Sequence, residues 1–192
     1  MSNVNAPFGL RPVMAPPTGL LREEFPMVAE SLWPGIADMA YAIGIGDPVD
    51  IFFGGLIQRV YNAVQPILGV VVGVSDPGGK PASHVPKSVD DEWWKYRVSV
   101  CTDPQQRYVI QEDSVGLSIS IGTGPAYYAD LAVSPLPTLN SFNGLSQFML
   151  DSSSVNYGGP SQLQIIGKYQ ALNNDIGDYC KWIVRISNHQ MG

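Results

Sequence analysis

The chain has little charge, little cysteine and no long apolar run, and each scarcity excludes something. Charged residues make up 15% of its 192 positions, against about 25% in an average domain, which disfavours helical bundles and coiled coils with their solvated charged faces. Two cysteines, Cys101 and Cys180, stand 79 positions apart and form no disulfide framework; each sits in a strand-like run that suits a buried thiol. The longest apolar stretches, Ile51 to Ile57 and Ile67 to Val74, are broken by glycine and fall far short of the roughly 18 to 20 residues that span a bilayer. The opening Met1 to Phe8 has no basic region followed by an apolar one, so neither a secretory signal nor a transit peptide is read, and synthesis and use on the cytoplasmic side are expected. The 11 basic residues are scattered singly among 17 acidic ones, for a net charge of -6. That argues against a nucleic-acid groove, which needs clustered Lys and Arg. Neither nucleic acid nor membrane is an expected partner.

What is abundant is glycine (20) and proline (16), nearly one residue in five, where about 12% is usual. Many breakers and few charges favour short strands joined by turns, in one domain long enough to bury a core. The first 22 residues hold Arg11 and Arg22 and no acid, a segment of +2 on a remainder of -8. Pro7, Pro12, Pro16, Pro17, Pro26 and Pro34 all fall within the first 35 residues. Proline fixes φ and removes a donor, so residues 1–36 are expected as an extended arm. At ~3.1 Å per residue, about 25 such residues reach on the order of 75 Å, enough to wrap the body or touch a neighbour.

From residue 37 to 192 the pattern reads as one body of strands. Met39 to Ile45, Val49 to Phe53, Leu56 to Tyr61 and the near-continuous Ile67 to Val74 come first, the last expected to be buried on both faces. Residues 75–92 read as a long loop. Trp93 to Val100 and Val115 to Ile121 alternate, and Tyr127 to Val133, Phe148 to Leu150, Gln162 to Gln170 and Tyr179 to Ser187 complete the set. In the last run Cys180, Trp182, Val184 and Ile186 share the core face. The fold expected is mainly β, an antiparallel β-barrel or β-sandwich of jelly-roll or tulip-like kind, with little helix.

Templates for chemistry fail one by one. Gly73-Val74-Ser75-Asp76-Pro77 has only the first glycine of a nucleophile elbow. Gly167-Lys168 is followed by Tyr169 and lacks the earlier glycine of a phosphate loop. His84, His189, Cys101 and Cys180 are not paired at the spacing that pre-forms a zinc site. Asp90-Asp91-Glu92 and Glu112-Asp113 offer carboxylates, but neighbours on a strand point to opposite faces and supply no acid and base pair. Trp93, Trp94 and Tyr96 could stack on sugar or line a subunit interface equally well. No catalytic residue, metal or cofactor is expected, and the balance leans toward binding or assembly.

The opening Asn5-Ala6-Pro7-Phe8-Gly9-Leu10-Arg11-Pro12-Val13, the Gly46-Asp47-Pro48-Val49 turn and the Gly69 to Val74 strand are followed late in the chain by Gln162 to Gly167, Asn174 to Gly177 and Ile186 to Gln190. Together these segments resemble the head decoration, or capsid cement, proteins of tailed bacteriophages. The resemblance implies a non-enzymatic virion protein on the outer surface of the capsid, made in the host cytoplasm. It implies the major capsid protein and further copies of the chain, as a homotrimer, for partners. Contacts to capsid or neighbour are then expected from Asn5, Pro7, Phe8, Leu10, Arg11, Pro12, Val13, Met14 and Arg22 of the arm, and from Trp93, with the two arginines meeting acidic surface. Deleting residues 2–22 is expected to leave a folded body. Other virion roles, such as a head fibre base or head-to-tail connector, and a carbohydrate-binding β-sandwich are the alternatives.

Overall fold

The computed structural model describes residues 3–14, 21–26, 42–86, 95–113, 117, 126–134 and 137–191. Among the described residues, fourteen short strands build two main antiparallel sheets and a small ribbon. The first sheet runs β1 (Arg11–Met14), β10 (Arg107–Gln111), β14 (Lys181–Ile186), β13 (Leu163–Lys168), β11 (Tyr127–Ala129), β12 (Asn156–Tyr157). The second runs β2 (Arg22–Phe25), β9 (Arg97–Cys101), β6 (Gly69–Ser75), β4 (Pro48–Ile51), β5 (Ile57–Arg59), with β7 (Pro81–Ala82) beside the far end of β6. β3 (Ile43–Gly44) and β8 (His84–Val85) pair as a separate ribbon.

The period-two rule sorts side chains between two cores. Tyr108, Ile110, Leu163, Trp182 and Val184 of the first sheet meet Val70 and Cys101 of the second, forming the core between the sheets. The neighbouring residues Val71, Val98 and Val100 point the other way and join Ile43, Val49, Ile57 and Val85 in a second core, which the β3–β8 ribbon covers. Ile67 to Val71 are buried without interruption, as a strand enclosed on both faces must be. Each large side chain so buried contributes about 1.5–3 kcal/mol.

The architecture is sandwich-like and mainly β, and the sheets formed by the described residues do not close into a barrel. Two further readings are amended. Arg107–Gln111, read as no element in the sequence, is a strand of the first sheet lying between β1 and β14; its Tyr-Val-Ile centre is only three residues long. The loop expected over 75–92 contains β7 and β8. The arm, where described, is not free of the body: β1 pairs with β10 and β2 with β9. The Val115 to Ile121 run, Leu117 excepted, lies outside the described residues, as do Asp90 to Trp94.

Candidate interaction site at the N-terminal arm

The site begins with a buried ion pair. Asp47 is fully buried in the Gly46-Asp47-Pro48 turn, and Arg59 of β5 forks onto it, Nε to Oδ2 at 3.0 Å and Nη2 to Oδ1 at 3.3 Å. Nη2 also donates to the Pro137 carbonyl at 2.8 Å, and the guanidinium lies 5.0 Å from the centre of the Phe148 ring. Burial pushes the Asp47 carboxyl up from its ordinary range, while Arg59 and the Gly44 amide, at 2.9 Å, pull it back. This pair fixes the turn in place.

The turn in turn seats the arm. The Gly46 amide donates to the Val71 carbonyl at 2.9 Å, and the Gly46 carbonyl accepts from the Leu10 amide at 2.9 Å. Gly9 and Gly46 both have positive φ, 69° and 94°, where a side chain is strained. A Cβ on Gly9 would also collide with the Gly46 carbonyl and the Ser146 side chain. Leu10 is thereby set into the core between the sheets, 1% exposed.

Beside β1 of the first sheet and β2 of the second, a cleft of about 320 Å³ opens. Phe8, Leu10, Arg11, Pro12 and Arg22 line it from the arm, and Ile45, Gly46, Val71, Val72 and Leu145 from the body. Arg11 stands 4.9 Å from the centre of the Phe8 ring, and Lys181 Nζ stands 6.0 Å from it. Arg11 and Arg22 are exposed and meet no carboxylate among the described residues. An apolar cleft with two exposed guanidinium groups at its margin suits a ligand that carries carboxylates beside an apolar group.

Five of the residues expected from the sequence, Phe8, Leu10, Arg11, Pro12 and Arg22, therefore converge on one place. Pro7 and Val13 are half-buried and Asn5 is exposed nearby in the chain. Met14 pairs with Arg107 through the backbone. Trp93 lies outside the described residues. Leu10 is a core residue of its own chain, so it does not fill a neighbour's pocket in this arrangement. Sequence reasoning missed the body side of the cleft, Ile45, Val72 and Leu145, because only the fold brings these segments together.

Other groups that could carry chemistry serve the framework. Glu112 is fully buried, accepting from Trp182 Nε1 and the Leu117 amide at 3.0 Å each and from the Cys180 amide at 3.3 Å. Burial raises its carboxyl, and burial together with the Glu112 charge raises the Cys180 thiol to about 11. A thiol so protected is a poor nucleophile at neutral pH. Cys101 and Cys180 are free, and the described residues hold no group of three or more His, Cys, Asp or Glu able to bind a metal ion. No helix among the described residues is long and apolar enough to cross a membrane. No family model, no curated protein and no solved structure matches the chain.

Proposed function

We propose that this chain is a non-enzymatic virion structural protein that binds the outer surface of a tailed-bacteriophage capsid and cements neighbouring capsomers around packaged DNA. One observation carries the reading. Three segments that resemble the decoration proteins, far apart in sequence, are joined in one hydrogen-bonded row, Leu10 to Gly46 to Val71, and together line the arginine-edged cleft. The later segments of the resemblance are structural too. Gln162 accepts from the Leu131 amide and donates to the Asn62 and Gln65 carbonyls, while Asn174 joins Tyr169 to Lys181. The resemblance thus falls on residues that specify a fold and a binding edge rather than on reactive groups, as expected of a protein that works by adhesion. Many modest contacts made at once across several capsomers sum by effective concentration.

Because Leu10 and β1 belong to the body, removing residues 2–22 would open the core, so the test uses point changes. Purified protein is mixed with mature, decoration-free heads and imaged by cryo-electron microscopy. Ordered density at three-fold and quasi-three-fold positions is the expected result, with occupancy falling in Arg11→Glu/Arg22→Glu. Bare heads would overturn the proposal, and a few copies per virion by gel densitometry would point instead to a fibre base or a connector.

A further inference from the structure

Register gathers cations that the sequence scatters. On the face of the first sheet turned away from the core, Arg107 stands directly opposite Arg185, Arg185 opposite Gln164, and Gln164 opposite Tyr128. The adjoining row is Arg11, Val109 and Ile183, and beyond it Gln111 faces Lys181. Val109 and Gln111 are buried, Gln111 under the backbone of Val4 and Ala6, so the open part of the face is the Arg107, Arg185, Gln164 and Tyr128 row. That these residues share the outer face follows from their neighbours Tyr108, Ile110, Trp182 and Val184, all in the core. The six strands of this sheet carry Arg11, Arg107, Lys168, Lys181 and Arg185 and not one Asp or Glu, in a chain of net charge -6.

Two features mark this face as more than a solvated surface. Like charges directly across an antiparallel pair are destabilising, yet Arg107 and Arg185 occupy such positions. The Arg185 guanidinium is held by neutral acceptors, Nη1 donating to Gln105 Oε1 at 3.0 Å and Nη2 to Gln164 Oε1. That orients the fork without neutralising it. Half-buried Ile183 lies between Lys181 and Arg185 along β14, and half-buried Tyr128 ends the row beyond Gln164.

We propose that this outer face is a docking surface for an acidic protein surface whose carboxylates flank apolar side chains. The fork geometry of arginine fits paired carboxylates, and the adjoining Ile183 and Tyr128 would gain from burial that a phosphate backbone cannot give. Nucleic acid would call for a longer basic track. The inference does not rest on the capsid reading, since it names only the chemistry of the partner.

The test measures fluorescence anisotropy of labelled poly-glutamate, of a glutamate–tyrosine copolymer and of a DNA duplex at equal ionic strength. Wild-type protein should bind the copolymer most tightly. In Arg107→Gln/Arg185→Gln that affinity should fall by about tenfold or more. The control Lys80→Gln/Arg97→Gln, which removes the same charge from elsewhere, should stay within about twofold, as surface charges away from the contact do, and circular dichroism verifies that both variants fold. Equal binding by the two double variants, or tighter binding of the duplex, would overturn the proposal. So would salt-sensitive self-association lost in Arg107→Gln/Arg185→Gln, which would make the partner a second copy of the chain.

Discussion

The two main sheets share an antiparallel plan and treat their outer faces in opposite ways. In β14 the burial alternates residue by residue, Trp182, Val184 and Ile186 inward, Lys181, Ile183 and Arg185 outward. In β6 it does not, and Val71 and Val74 on the outward side are buried under the β3–β8 ribbon. One sheet has an open side along β14, although the N-terminal residues cover Gln111 of β10; the other is an inner partition. Charge follows the same division. Described carboxylates are largely taken up inside the fold or in its turns: Asp76 accepts from Gly78 and Lys80, Asp103 from Gln105, Asp130 from Gln162 and Asp151 from Ser153. Net charge is therefore a poor guide to any one surface of this molecule.

Adjacent residues on β14 give the sharpest way to break the comparison. Trp182→Ala leaves a large void and takes a donor from buried Glu112, so a loss of about 3–5 kcal/mol is expected in urea unfolding. Ile183→Ala, one position along on the outer face, should cost about 1 kcal/mol or less. Similar losses would mean that the outer face is covered after all. Arginines allow a second contrast. Arg59→Ala strands the Asp47 carboxylate in the interior and should cost about 3–5 kcal/mol, whereas Arg11→Ala gives up one exposed contact with Phe8, worth about 0.5–1 kcal/mol. Thermal denaturation of the pair of variants would expose a mistaken assignment of inside and outside.

The smallest effect expected is one of pH. His189 is buried, and its Nδ1 accepts from the Met191 amide at 3.1 Å, so a proton there would remove that bond and add an unsolvated charge. Burial lowers its pKa below the ordinary 6.5. A depressed folded value means that the unfolded chain takes up the proton first. Its contribution to stability is full above about pH 6.5 and is lost as pH falls through the folded value. The stability difference between wild type and His189→Gln should narrow on acidification across that window, and a constant gap would show that the imidazole does not titrate with folding.

Much of this was legible in the sequence because strands enforce a period of two. The alternation at Tyr179 to Ser187 named the buried face of β14 correctly, and the near-continuous apolar run at Ile67 to Val74 named a strand that is enclosed as far as Val71. Phe8, Leu10, Arg11, Pro12 and Arg22 of the expected arm line the cleft, while residues 15–20 and 27–41 lie outside the described residues. Pairing was not legible. The edge strands β1 and β2 have little hydrophobic pattern of their own, with Arg22, Glu23 and Glu24 all exposed; they exist because β10 and β9 offer them hydrogen bonds. For the same reason the basic face escaped notice, since Arg11, Arg107, Lys181 and Arg185 become neighbours only through register between distant segments.

The seating of the arm also sets an order of events in folding. Arg11 waits for Val109, Arg22 for Cys101, and Asn3 for the carbonyls of Asp175 and Asp178. These are among the longest loops the chain can close, and they are ordered only after the strands they join exist. The segment that closes these loops is paired across the longest separations in the described chain. Until it arrives, the edges of β9 and β10 stand open and Leu10 is without its core. The period of greatest exposure to aggregation therefore falls at the end of folding rather than at its start.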